Sequence, residues 1–211
     1  MKREAQIKEL LISNAIHLVA EGGFEKATTK NLAYAGGELD GFKMNEVYIY
    51  RLFGSKEALY EAAFLFLENE LVEALMKGLA AFRGLELKDF RDVMYQFFLM
   101  AWKFILRNEE RCRCYVRFYY SVYFKGSVRE NHNRLFGVII SELSSAFKEE
   151  ADVGAILHSV FTSLFDFGIR VYNGDLEDSE INRPHVFNVL YCIMSSYLKE
   201  SLFPLSVTGD N

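Results

Sequence analysis

The segments Ala27-Thr28-Thr29-Lys30-Asn31-Leu32-Ala33-Tyr34-Ala35-Gly36 and Ile49-Tyr50-Arg51-Leu52-Phe53-Gly54-Ser55-Lys56-Glu57-Ala58-Leu59 decide the fold of this 211-residue chain. A hydroxyl residue opens a helix in each. The Thr28 or Thr29 side chain is placed to cap the orphan amides of a helix through Leu32-Ala33-Tyr34-Ala35, which Gly36-Gly37 breaks. Ser55 is placed to cap a second and much longer helix, with Leu59, Ala62, Ala63, Phe66, Leu67, Leu71, Ala74 and Leu75 on one side. Between them Asn45 to Phe53 forms a short helix closed by Gly54. Upstream, Ile7, Leu11, Ala15 and Leu18 recur at helical spacing over residues 4–21, and Gly22-Gly23 stops them. Three short helices with a glycine break between the second and third make a helix-turn-helix.

Downstream of Gly84 the pattern stays helical, near 87–107, 109–124, 127–149, 152–173 and 183–202. Period-2 alternation is nowhere sustained, and Pro184 and Pro204 are the only prolines. The run Tyr115 to Phe124 has β propensity and is the weakest of these helices by pattern. The fold class is all-α: an N-terminal three-helix head over residues 1–59, joined by a long helix to a larger helical body over residues 60–211.

Composition narrows the function classes. With 51% hydrophobic residues and 14 glycines the chain is globular and not disordered. Three cysteines make no disulfide framework, and the one-residue spacing of Cys112 and Cys114 puts the thiols on different faces of a helix, away from any shared metal. The opening Met1-Lys2-Arg3-Glu4 lacks a signal-peptide pattern, and no apolar run reaches the roughly 18 residues of a membrane span. A soluble, cytoplasmic protein without membrane contact follows. No Ser-His-Asp order, carboxylate pair, Gly-rich phosphate loop or His-x-x-x-His is visible, so neither an enzyme nor a cofactor is expected.

The two opening segments, with Tyr50-x-x-Phe53-x-Ser55-Lys56-Glu57-x-Leu59 in order, resemble the DNA-binding domain of TetR-type (TetR/AcrR) transcriptional regulators over about residues 5–62. The resemblance implies a double-stranded DNA operator as partner, a homodimer, and a ligand-responsive regulator, expected to be a repressor. It departs from the family pattern at Gly37-Glu38-Leu39-Asp40-Gly41-Phe42-Lys43, an apparent insert in the turn, after which Met44 takes the usual Val place. Thr28, Thr29, Lys30, Asn45, Tyr48, Tyr50, Arg51 and Lys56 are the expected DNA-contacting residues. The helix start at Ser55-Lys56, the Tyr50 hydroxyl and Thr28 suit phosphates, while Asn45, Glu46 and Tyr48 stand where base edges are read. Ile49, Leu32 and Phe53 are the expected miniature core.

Charge divides unevenly. The net charge is −5, from 24 Lys+Arg and 29 Asp+Glu, yet residues 1–59 hold eight basic and eight acidic groups, so the excess lies wholly beyond them. A neutral head permits DNA binding without driving it. In the body, Phe97, Phe98, Trp102, Phe104, Tyr115, Phe118, Tyr119, Tyr120, Phe161, Phe165 and Phe167 supply an aromatic interior, which two readings fit: plain core, or a pocket for a small apolar or aromatic ligand. The pocket reading names Trp102, Tyr119, Phe161 and Phe165 as walls, with His158 or Arg170 as polar anchor. The last two helices, pairing Val160, Leu164, Phe167 and Val171 with Val186, Val189, Leu190, Ile193 and Tyr197, suit either the monomer's core or a four-helix dimer interface. The competing class is a helical homodimeric binding or scaffold protein whose head binds DNA weakly or not at all.

Overall fold

The structure is a computed structural model, which describes residues 2–35, 38–39, 42–82 and 90–202. In order they form α1 (Lys2–Lys26), α2 (Thr29–Tyr34), β1 (Glu38–Leu39), β2 (Phe42–Lys43), α3 (Val47–Phe53), α4 (Lys56–Phe82), α5 (Phe90–Arg107), α6 (Glu109–Tyr119), α7 (Ser127–Ser144), α8 (Val153–Tyr172) and α9 (Asn182–Ser195), then a 3₁₀ turn, Glu200–Leu202. The all-α architecture holds. The two strands have two residues each and fall inside the expected insert, antiparallel, with Glu38 opposite Lys43 and Leu39 opposite Phe42. Gly36, Gly37, Asp40 and Gly41 of the expected break and insert lie outside the described residues.

Helix ends follow local chemistry. α1 is interrupted at Gly23, whose φ of 71° suits glycine alone without strain. Thr28 caps α2 by accepting from the Asn31 amide at 3.2 Å. Ser55 Oγ accepts from the Ala58 amide at 3.0 Å and opens α4, after Gly54 (φ 84°) has closed α3. Asp152 caps α8 through the Ala155 amide at 2.9 Å.

Three expected helices run too far. α6 ends at Tyr119, not 124, because Ser121 intervenes: its hydroxyl donates to the Phe118 carbonyl at 2.7 Å and accepts from the Tyr123 amide at 3.1 Å. α7 and α9 both stop short because the segments after them pair: Phe147 and Leu198 form an isolated antiparallel bridge, with Lys148 N–H to the Tyr197 carbonyl (2.9 Å) and Lys199 N–H to the Ala146 carbonyl (3.0 Å). Local propensity carries no trace of a partner 51 residues away.

The chain packs as two compact units, Met1–Leu71 with Asn108–Leu135, and Val72–Arg107 with Phe136–Asn211. In the first, α1 packs along α6, and α6 also meets α4 through Phe64 stacked on Phe118 (4.3 Å) and Tyr115 (5.1 Å). Covered on both sides, α6 buries Cys112, Cys114, Tyr115 and Phe118, so the two thiols do face different ways and both are inside. Burial pushes the Cys114 thiol up to about 12. The buried stripe of α4 in this unit is Leu59, Tyr60, Ala63, Phe64, Leu67 and Leu71. Phe66, expected on that stripe, is 40% exposed beneath the Arg111 guanidinium, because α6 covers the side carrying Tyr60 and Phe64.

In the second unit α8 packs on α5 and α9. Phe147, Val153, Ile156, Leu157, Met194 and Leu198 form a buried cluster there. α5 and α8 approach closely at Gly168, where an added methyl group would stand 2.5 Å from Ile105 Cγ2. Ile105 is β-branched and enclosed, so it has no rotamer to retreat into. Gly168→Ala is therefore expected to lower unfolding stability by about 1–3 kcal/mol in chemical denaturation, against the usual gain for Gly→Ala inside a helix.

Candidate nucleic-acid interface and ligand cavity

The short helices of the first unit are held by polar side chains as much as by apolar ones. Asn14, which interrupts the apolar pattern of α1, is 5% exposed, and its amide donates to the Leu32 carbonyl at 2.8 Å. That bond satisfies one of the carbonyls that the last turn of a six-residue helix leaves open. Asn31 Nδ2 donates to the Lys26 carbonyl at 2.8 Å and pins the turn between α1 and α2. Beneath lie Leu32, Met44 and Ile49, all buried. Phe53 is half-buried, with Lys8 Nζ 5.9 Å above its ring.

α3 turns Ile49 inward and presents Val47 (67% exposed), Tyr50 (53%) and Arg51 outward. These three recur at i, i+3 and i+4 and share one face. Arg51 lies over the Tyr48 ring at 4.5 Å, so the cation is stacked and held near the helix surface. Asn45 Oδ1 accepts from the Val47 amide at 3.0 Å, an Asx turn just ahead of α3, and this leaves its NH₂ donors for an outside partner. At the head of α4, Lys56 is half-buried with Nζ 5.6 Å from the Tyr60 ring centre. Thr28 and Lys30 are exposed at the start of α2, with Thr29 half-buried between them. The eight expected DNA-contacting residues thus sit at the starts of α2 and α4 and on or just before α3, all in one unit. Val47, the most exposed of the α3 face, is absent from that set although its spacing from Tyr50 and Arg51 is visible in the sequence.

The six expected ligand residues do not gather at one place. The second unit holds a cavity of about 60 Å³ among α5, α7, α8 and α9, walled by apolar side chains including Phe97, Phe98, Leu157, Phe161, Phe187 and Leu190. Phe161 is the only one of the six on its wall. Phe165 is buried without lining it. Tyr119 belongs to the first unit and packs against Phe124 (4.4 Å) and His132 (5.3 Å). His158 is exposed, and Arg170 is exposed with its guanidinium on Asp166 at 2.9 Å, so neither stands as an anchor inside.

Trp102 is 2% exposed and serves structure: its Nε1–H donates to Asp178 Oδ1 at 2.9 Å, and Arg183 reaches the same carboxylate with two bonds of 2.7 and 2.8 Å. The partner lies 76 residues downstream in the segment before α9, which no local pattern connects to α5. Tyr120, expected inside, is 66% exposed because α6 has already ended.

No family profile matches the sequence, and no curated protein is similar to it. Solved structures are similar in fold. A TetR family transcription regulator from Marinobacter aquaeolei VT8 superposes with a TM-score of 0.71 at 17% identity, over 91% of this chain and 97% of that one. A TetR-like transcriptional regulator from Rhodococcus sp. RHA1 gives 0.61 at 18% identity, over 88% and 91%. The transcriptional regulator FadR from Bacillus subtilis, solved in complex with stearoyl-CoA, gives 0.58 at 15% identity, over 86% and 96%. The chain has the fold of the TetR-type transcription regulators.

The Trp102–Asp178–Arg183 network makes its own prediction. The Arg183 guanidinium holds the Asp178 carboxyl below the usual aspartate range. A depressed folded value means the contribution is complete above the ordinary aspartate pKa and is lost as pH falls through the depressed one. Asp178→Ala is expected to cost about 1–2 kcal/mol at pH 7, since it strands a buried indole N–H. The gap between variant and parent in thermal unfolding should close as the buffer is taken towards acid.

Proposed function

We propose that the chain is a ligand-responsive, DNA-binding transcription regulator that acts as a homodimer and a repressor. The observation that carries this reading is the outward face of α3: Val47, Tyr50 and Arg51 stand exposed on a helix whose other side is locked by Ile49, in a chain with the TetR fold over nine-tenths of its length. Exposed apolar and aromatic groups on a seven-residue helix have little use within the monomer, while thymine methyl groups and sugar edges in a major groove are suited to them. Thr28, Lys30, Tyr50 and Lys56 supply hydroxyl and ammonium donors for phosphates on either side, with Thr29 beside them, and Asn45, Tyr48 and Arg51 flank the base-reading face. Residues 1–59 act as the reader head and residues 60–211 as the ligand-binding and dimer-forming body.

The ligand we propose is apolar and enters the α5–α8–α9 cavity by Phe161. Its 60 Å³ is small beside the roughly 300–1,000 Å³ of ordinary ligand sites, so binding has to part Phe97, Phe161 and their neighbours. A flexible hydrocarbon chain does this at least cost, and the stearoyl-CoA bound by the Bacillus subtilis FadR carries one. For the dimer, Val189 (49% exposed) and Tyr197 (45%) on and after α9 remain outside after Leu164, Val186 and Leu190 have gone into the monomer's own core. Two heads on one dimer must reach half-sites roughly 34–36 Å apart.

A gel shift on DNA flanking the chain's own gene is the direct test, with salt-sensitive binding at a defined site as the expected result. Absence of such binding at any site transfers the chain to the alternative class, a helical binding or scaffold dimer, which the neutral head charge favours. Lys56→Ala should weaken all sequences alike and lower the slope of log K against log salt by about one unit. Val47→Ala should change the preferred sequence and leave that slope alone. In sedimentation, Val189→Glu is expected to shift a dimer towards monomer, and an unchanged dimer would remove α9 from the interface.

A further inference from the structure

One carboxyl group in the first unit is used by none of this. Glu68, on the buried side of α4, is 0% exposed. Its Oε1 lies 2.5 Å from His132 Nδ1 of α7, whose ring is edge-on to Phe124 at 5.2 Å. Its Oε2 is enclosed and has no hydrogen-bond partner among the described residues. Among the described residues, the titratable groups beside the pair come from α6 and α7. From α7 there is His132 itself. From α6 there are the Tyr115 and Tyr119 phenols, both of which burial keeps un-ionised, and Arg129 of α7 acts on Tyr119. Among the described residues no lysine or arginine bonds the carboxyl group.

Elementary chemistry selects the closed state. A carboxylate presents two charged oxygens that both need donors, and here one has none. A neutral acid keeps its proton on Oε1 and donates a hydrogen bond from it to His132 Nδ1, leaving Oε2 a carbonyl-like oxygen that tolerates burial far better. Burial accordingly pushes the Glu68 carboxyl above its ordinary value, against the smaller pull of His132.

We propose that Glu68 and His132 form a proton-gated latch: one shared proton closes α7 onto α4, and its loss releases that end of α7. A folded pKa above the unfolded one means that the latch is fully effective below the ordinary glutamate value and weakens as pH rises through the raised one. The device lies in the unit that carries α2 and α3, and it is independent of whether that unit binds DNA.

The test is amide hydrogen exchange on the full chain between pH 5 and 9, corrected for intrinsic exchange rates. Protection of the Ser127–Leu135 amides should fall by up to tenfold for each pH unit between the ordinary glutamate value and the raised one, as one linked proton requires, and level off above it, while the α5 and α8 amides of the second unit do not follow. Glu68→Gln keeps the shape, lets its amide donate to Nδ1 and has no proton to lose, so its profile should be flat. Equal pH dependence in variant and parent, a flat profile in the parent, or the same slope throughout both units would each overturn the latch. Should Glu68→Gln fail to fold, the parent's contrast between α7 and α8 decides the matter alone.

Discussion

The first unit hangs on one buried hydroxyl. Tyr60, in the second turn of α4, is 1% exposed and donates to the carbonyl of Ala27 at 2.5 Å, across 33 residues of sequence. Ala27 is fully enclosed and immediately precedes Thr28, the cap of α2. The bond therefore sets where α2 starts relative to α4, and α4 opens with Ser55 and Lys56. Phe24 and Tyr123 pack on the Tyr60 ring at 5.0 and 5.3 Å, so its two torsions are fixed from α1 and from the turn after α6. Burial and nearby Tyr123 and Glu57 push the phenol well above its ordinary value, which keeps it a donor throughout the physiological range. An un-ionised phenol is what a backbone carbonyl requires. The spacing of the candidate phosphate contacts at Thr28 and Lys56 rests on this joint.

Seen from Tyr60, the legibility of the sequence has a clear physical boundary. Caps and breaks were readable because they act over three or four residues: Thr28, Ser55, Gly23 and Gly54 all do in the structure what their chemistry indicates. The all-α class was readable for the same reason. Burial of polar groups was not. Asn14 reads as an interruption of α1 and Glu68 as part of the polar run Glu68-Asn69-Glu70, yet both are enclosed because a distant element supplies the partner, Leu32 in one case and His132 in the other. The α4 stripe was misplaced at Phe66 for a related reason, since periodicity cannot say which side α6 will cover. Asp178 shows the limit in the other direction: an ordinary surface-type residue by pattern, it anchors Trp102 and Arg183.

The aromatic content, 15% of the chain, divides along the same lines. Helical spacing marks Tyr115, Phe118 and Phe165 as interior without distinguishing core from cavity, and the structure assigns them to core. What separates Phe161 from them is a shortage of neighbours: around it, Phe97, Leu157 and Phe187 leave space that no side chain fills. A void in a close-packed interior forfeits dispersion contacts, and a wall without polar groups offers water no compensation. Such a space is maintained at a cost in stability, which a ligand that fills it repays as binding energy.

The segment between α2 and α3 is the most unusual element of the candidate reader. A tight turn between α2 and α3 fixes their angle through a few backbone torsions, whereas here the described residues between them include a two-stranded ribbon that pairs Glu38 with Lys43. A ribbon of two residues per strand is too short to be stable on its own, so it must be held by its ends. Those ends are well anchored: Asn31 bonds Lys26 before it, and Met44 and Ile49 are buried after it. The angle between α2 and α3 is therefore set by Met44, Ile49 and Leu32 in the miniature core and not by the turn.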